Sequence, residues 1–123
     1  MKITDVTVAL FAWDDLPAIQ YSPHNPQTAN SSQLGLVTIS TDQGVEGHAF
    51  LGSAMRSAEL DAVSLVRILK PMVLGEDPLD RERLYGRLWM RHRLTTLRCI
   101  GAVDVALWDI AGKATGLPLN PAA

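Results

Sequence analysis

The sequence predicts an α+β fold, a three-stranded antiparallel meander followed by a helical bundle. Two observations carry this. In the first half, β-branched and apolar residues alternate with polar ones at period two; in the second half, apolar residues recur every three or four positions. The change happens once, near Ser57, and strands that all precede the helices segregate into their own layer rather than alternating in βαβ units. At 123 residues the chain is long enough for one domain and too short for two ordinary ones.

Each element has its own signals. Lys2 to Trp13 reads as the first strand, with Val6, Val8 and Leu10 on one face. Asp14 to Ser32 is a long loop, because Pro17, Pro23 and Pro26 fix φ and remove backbone donors. Gln33 to Thr41 is the second strand. Asp42-Gln43-Gly44 follows as a tight hairpin whose glycine suits φ > 0, and Val45 to Phe50 is the third strand. Leu51 to Arg56 leaves the sheet. Ser57 is the expected N-cap of the first helix, with Glu59 and Asp61 at the positive end of its dipole. Leu60, Val63, Val66 and Leu69 form its expected inward stripe, and Pro71 and Gly75 are expected to end it. Asp77-Pro78 is expected to open the next helix, Asp77 as cap and Pro78 at the first helical position. Leu84, Leu88 and Tyr85 supply that helix's inner face, and Leu94 to Thr96 break it from the last one. The last helix, from about Arg98 to Thr115, carries Ile100, Val103, Leu107 and Ile110 in one stripe beside Ala102, Ala106 and Ala111. Asp109 and Lys113 pair in the favourable order along it, and Gly116 and Pro118 stop it.

Composition narrows the classes of function. The net charge is −2, with 47% hydrophobic and 20% charged residues, which argues for a soluble globular domain without long-range attraction to nucleic acid or an anionic membrane. Met-Lys-Ile-Thr-Asp opens the chain without an apolar leader, and no stretch is apolar enough to span a bilayer. The single cysteine, Cys99, has no partner for a disulfide or a zinc pair, so a reduced, cytoplasmic setting is expected.

The chemistry-bearing residues read mostly as structural. His24, His48 and His92 follow no metal-ligand spacing, so no metal site is expected in this chain. His48 alternates with strand residues and is expected to be a satisfied sheet histidine. Cys99 sits between Leu97 and Ile100 positions and is expected to be buried rather than nucleophilic. Arg81, Arg83, Arg87, Arg91, Arg93 and Arg98, with Tyr85 and Trp89 among them, could form a nucleic-acid patch, but Asp77, Asp80 and Glu82 lie alongside. A solvated face or a protein interface is the better reading. Asp104 and Asp109, five apart, do not share a helix face and are read as structural.

The run Gly101-Ala-Val-Asp-Val-Ala-Leu-Trp-Asp-Ile-Ala-Gly-Lys-Ala-Thr-Gly-Leu-Pro-Leu119 resembles the signature of the mandelate racemase and muconate-lactonizing enzymes of the enolase superfamily. Asp104, Ala106, Leu107, Trp108, Asp109, Gly112, Lys113, Gly116, Pro118 and Leu119 carry it. Thr41-Asp42-Gln43-Gly44 with Gly47, and Leu74-Gly75-Glu76-Asp77-Pro78, look like the family's hairpin and inter-helix turn. The resemblance implies that residues 1–119 are the N-terminal capping domain, with the barrel domain absent. It also implies Mg²⁺ in the intact enzyme, bound by barrel carboxylates, and removal of a proton α to a substrate carboxylate. No catalytic residue or metal ligand is carried over, since those of the family lie in the barrel. The family's two capping loops correspond by position to Pro17–Asn30 and Phe50–Arg56. Tyr21, Ser22 and His24 in the first, and Leu51, Gly52 and Ser53 in the second, are the expected contacts to a small carboxylate substrate. After Pro118-Leu119 the family runs on toward its barrel. Here Asn120-Pro121-Ala122-Ala123 is expected to be a truncated tail, and the chain is expected to be inactive alone. The partners implied are the missing C-terminal barrel domain or another subunit, with a homo-oligomer expected because the last helix is apolar on more than one side. A non-catalytic remnant, an oligomerising module and a small binding protein built on the His24 loop are the rival readings.

Overall fold

The computed structural model describes residues 1–15, 17–20, 22–27, 31–53 and 56–119. Three strands, β1 (Ile3–Trp13), β2 (Ser32–Thr41) and β3 (Glu46–Leu51), form an antiparallel sheet in the order β1-β2-β3. Trp13 pairs with Ser32 at one end of the sheet, and Gly35 pairs with Leu51 beside it. The β2–β3 hairpin closes as expected: Gly44 takes φ 76° and its N–H donates to the Thr41 carbonyl at 3.3 Å. The period-two alternation turns Val6, Val37, Ile39, Ala49 and Leu51 toward the helices.

Four α-helical segments and one π-helical turn cover that face. The first helix runs through α1 (Glu59–Ser64), a π-helical turn (Leu65–Leu69) and α2 (Lys70–Val73); α3 (Arg81–Trp89) and α4 (Leu97–Thr115) follow. Their core is Leu65, Leu69, Leu84, Leu88, Ile100, Leu107 and Ile110, all fully buried against Ile39 and its neighbours. The described residues hold no barrel.

Several helix expectations need correction. Pro71 does not end the first helix. The proline has no N–H and its ring crowds the carbonyl four residues back. The helix widens just ahead of it instead, so that the Lys70 N–H reaches five residues back to the Leu65 carbonyl. The helix stops at Gly75, at φ 79°. Ser57 is not its cap: the Ser57 hydroxyl accepts the Gln33 N–H at 2.9 Å, and Ala58 occupies the cap position with no side-chain bond. The inward stripe is also rotated. Leu60 (77% exposed), Val63 and Val66 face outward, while Ala58, Ala62, Leu65, Leu69 and Val73 are buried. The segment carries two apolar stripes, and Asp61, on the buried side, disguises which one is the core. Asp77-Pro78 makes a turn rather than a helix start: Asp77 Oδ1 accepts the Leu79 N–H at 2.9 Å, and α3 begins three residues after Pro78. Tyr85 stays exposed beside the buried Leu84 and Leu88.

α4 matches its expectation closely. Thr96 caps it, its hydroxyl accepting the Cys99 N–H at 3.3 Å, and Gly116 ends it in the left-handed region at φ 69°. Thr96→Ala should cost about 1 kcal/mol, read as a lower urea midpoint at unchanged slope. Along its length α4 lies on β3. The His48 N–H donates to Asp109 Oδ2 at 2.9 Å, and Lys113 Nζ, paired with Asp109 at 2.9 Å, also donates to the Glu46 carbonyl at 2.8 Å. Gly47 stands between these ties, where the backbone of Ala106 approaches the strand directly.

Candidate functional site

The meander's topology brings the ends of all three strands to one pole. β1 finishes there at Trp13, β2 starts there at Ser32 and β3 finishes there at Leu51. The loop after β1 and the loop after β3 therefore share one rim, as two expected substrate loops must. Backbone and hydroxyl bonds tie them together. The Ser32 hydroxyl donates to the Ser53 carbonyl at 3.2 Å, and Gln33 exchanges bonds with Ser57 and Ala58, its N–H to the Ser57 hydroxyl and its carbonyl from the Ala58 N–H at 2.9 Å. Ser53 and Arg56 close the second loop with reciprocal backbone bonds of 2.7 and 3.2 Å.

At this rim opens a cleft of about 470 Å³, whose polar lining is Asp14, Ser31, Ser32, Gln33, Ser57 and Glu59. The Ser57 hydroxyl beside Glu59 holds its carboxyl below the usual range, so the cleft keeps an anionic wall. Neither loop contains a lysine, and Arg56 is the only arginine in them.

The residues expected from sequence are placed unevenly. Tyr21 lies outside the described residues. His24 is exposed, and Ser22, half-buried, accepts the Asn25 N–H on its carbonyl at 3.1 Å. Leu51 is still in β3 with its side chain in the core, which corrects the expectation that it leaves the sheet and faces a ligand. Gly52 turns the chain at φ 93°, where a Cβ would stand 2.9 Å from that of Ala58 and 3.0 Å from the Gln33 carbonyl oxygen. It shapes the loop through its backbone. Of those that are described, none lines the cleft. The lining comes from the strand ends and helix start next to the loops. The polar run Ser31-Ser32-Gln33 and the Ser57 position were the available signals.

Just behind the rim lies a buried carboxylate, Asp61, whose place in the sequence suggests only a partner for the helix dipole. Asp61 is 1% exposed. It accepts from Arg98 Nε at 3.0 Å and from the Thr96 hydroxyl at 3.4 Å, and Arg56 Nε stands 3.5 Å away. Burial pushes its carboxyl up, but the hydrogen bond and charge of Arg98, then Arg56, outweigh that and hold it below the usual carboxylate range. Asp61 thus fixes the end of the second loop to the start of α4.

The remaining candidates are structural. Cys99 is fully buried, its thiol donating to the Asp61 carbonyl at 3.3 Å. His48 Nδ1 shares a 3.1 Å bond with the Thr38 hydroxyl across the sheet. Arg83 and Arg87 both hold Glu76, at 2.6 and 2.7 Å, and Arg81 lies 3.8 Å over the Trp108 ring, so with Arg98 on Asp61 four of the six arginines in the run are spent on protein groups. Asp104, beside Arg81, is raised by burial against the pull of that charge. Among the described residues no three histidine, cysteine or carboxylate groups stand together as metal ligands. The described residues thus offer no donor set that would hold Mg²⁺. No helix is long and apolar enough to cross a membrane.

Residues 4–121 match the family of mandelate racemase / muconate lactonizing enzyme, N-terminal domain, and the chain belongs to that family within the enolase superfamily. A D-galactonate dehydratase family member of Streptomyces bingchenggensis is 40% identical over 86 residues, covering 66% of this chain and 20% of its own length. D-mannonate dehydratase of Novosphingobium aromaticivorans is 41% identical over 88 residues, covering 66% and 21%. Among solved structures, an isomerase from Streptomyces coelicolor superposes with a TM-score of 0.70 at 30% identity, over 96% of this chain and 31% of that one. The chain therefore spans about a fifth of the length of these curated relatives and a third of the solved chain.

Proposed function

We propose that this chain is the capping, substrate-selecting domain of a Mg²⁺-dependent dehydratase or racemase acting on an acid sugar, and that it is inactive without a barrel domain. The observation that carries the reading is the shared rim, where two loops bonded through Ser32 and Ser53 stand over a cleft of hydroxyl, amide and carboxylate groups. Such a lining suits the hydroxyls of a polyol, each able to donate and accept. Its described lining carries no cation, so it suits the hydroxylated tail of the substrate and leaves the carboxylate to the barrel. His24 and Ser22, on the first loop, remain candidate contacts to that tail. The dehydratase relatives support an acid sugar as the substrate class.

A chimera tests this. Residues 1–119 would replace the matching segment of the Novosphingobium D-mannonate dehydratase, which would be assayed on a panel of aldonic acids with Mg²⁺. The expected result is retained dehydration with an altered substrate profile. Gln33→Ala should then raise KM about tenfold with little change in kcat, the signature of a lost binding contact. An unaltered profile and an unaltered KM would exclude the rim from substrate selection. The 123-residue chain alone is expected to exchange no α-proton on any panel member.

A further inference from the structure

The two outer edges of the sheet are treated differently. On β3 the outward groups are used: the His48 N–H goes to Asp109 and the Glu46 carbonyl to Lys113. With His48 facing out, its partner Thr38 must face β1, and Thr7, paired with Thr38, must face β2. By the same alternation Val6, Val8, Leu10 and Ala12 turn their N–H and C=O groups outward on β1. The start of that edge is closed. Gly75 and Glu76 bond Ile3, the Val6 N–H goes to the Asp5 carboxylate, and Lys70 pairs with Asp5 at 2.6 Å. From Val8 to Ala12 no described residue bonds the edge. It carries no lysine, proline or bulge there, the usual devices against pairing.

Beside this open edge runs an apolar groove of about 350 Å³ between Val8 and Leu10 on β1 and Ala62, Val63 and Val66 on the helix. Glu59 and Arg67 stand in its lining, eight residues and so about 12 Å apart on the helix. Glu59 is at the end where β1 finishes, and Arg67, which has no ion pair among the described residues, lies toward the end where it starts.

We propose that this edge seats β1 of a second copy, antiparallel across a two-fold axis near Leu10, joining two sheets into one of six strands. An identical strand supplies the missing donors and acceptors in matching register. The same axis sets Glu59 of each copy against Arg67 of the other, so the charges flanking the groove are self-complementary in the antiparallel sense. Val63 and Val66, whose outward face the fold leaves bare, are covered by their own counterparts.

Sedimentation of the 123-residue chain tests this. The expected species has twice the 13.4 kDa chain mass. Ala12→Pro removes an outward N–H without touching the β1–β2 ladder, and Glu59→Arg sets like charges face to face. Each should weaken the dimer at least twentyfold, and Glu59→Arg with Arg67→Glu should restore it. Hydrogen exchange provides a reading that needs no variant: the amides of Val8, Leu10 and Ala12 should be protected in concentrated and not in dilute solution. A monomer at high concentration would leave the edge to another segment of a longer polypeptide and overturn the proposal. So would a dimer indifferent to both variants, a charge exchange that fails to rescue, or edge amides that exchange alike at both concentrations.

Discussion

Gly47→Ala should unfold the domain or leave it only marginally stable. A Cβ at this position would lie inside the hard-core distance of the Ala106 carbonyl oxygen and 2.7 Å from Ile110 Cγ1. The obstructing oxygen belongs to the backbone of a helix that the ties of Asp109 and Lys113 hold on β3, so no side-chain rotation clears the space. Separating α4 from β3 would open the packing of Ile110 and Leu107, both fully buried. Overpacking commonly costs about 1–3 kcal/mol, and with a backbone obstacle the upper figure or more is expected. That is a large share of the roughly 5–15 kcal/mol by which a domain is stable. Urea unfolding of the variant should show a midpoint below half that of the natural chain. A loss under 1 kcal/mol would mean that α4 slides along the sheet without penalty. Gly44→Ala, at a position whose Cβ would meet nothing but whose φ is 76°, separates packing from conformational strain and should cost less.

Replacing Asp61 by asparagine should cost about 1.5 kcal/mol at neutral pH, because it removes the buried acceptor of charge-assisted hydrogen bonds while leaving behind two arginines, Arg98 and Arg56, that are each about half-exposed and that water can solvate. The effect should depend on pH in a defined sense. The folded-state pKa of Asp61 lies below its ordinary value of 3.8, so the stabilisation is fully present above that value and disappears as the pH falls through the lower, folded-state pKa. The stability difference between the natural chain and Asp61→Asn should hence be constant from neutrality down to about pH 5 and shrink below pH 4. A difference that stays constant to pH 2 would show that Asp61 contributes through shape and hydrogen bonding rather than charge.

Much of the architecture was legible in the sequence because it rests on local chemistry. The alternation in β1 and β2, the glycine at position 44 and the apolar stripe from Ile100 to Ile110 each fix an element without reference to the rest of the chain. The family signature in α4 was legible for a related reason. Gly47 and Asp109 are matched across the β3–α4 contact, and a helix that must lie that close to a strand tolerates few alternatives. What was not legible depended on long-range partners. The inward stripe of the first helix could not be chosen between two candidates, since Asp61 is acceptable inside only because Arg98, thirty-seven residues later, meets it. Ser57 was assigned to the helix because its use by Gln33 across the rim leaves no local trace. The candidate cleft leaves equally little local trace, because its lining comes from the ends of regular elements rather than from the loops between them.

The direction of α4 has a consequence for anything attached beyond Leu119. The helix starts at the rim beside Asp61 and descends along β3 to Glu46, so the chain leaves the domain at the pole opposite the two loops. With 19 residues, α4 is about 28 Å long. Any polypeptide that follows therefore starts about one helix length from the rim, and whatever part of it is to meet a molecule held there has that height to cover. The exit point thus sets the far pole, and not the rim, as the place from which any further polypeptide would set out.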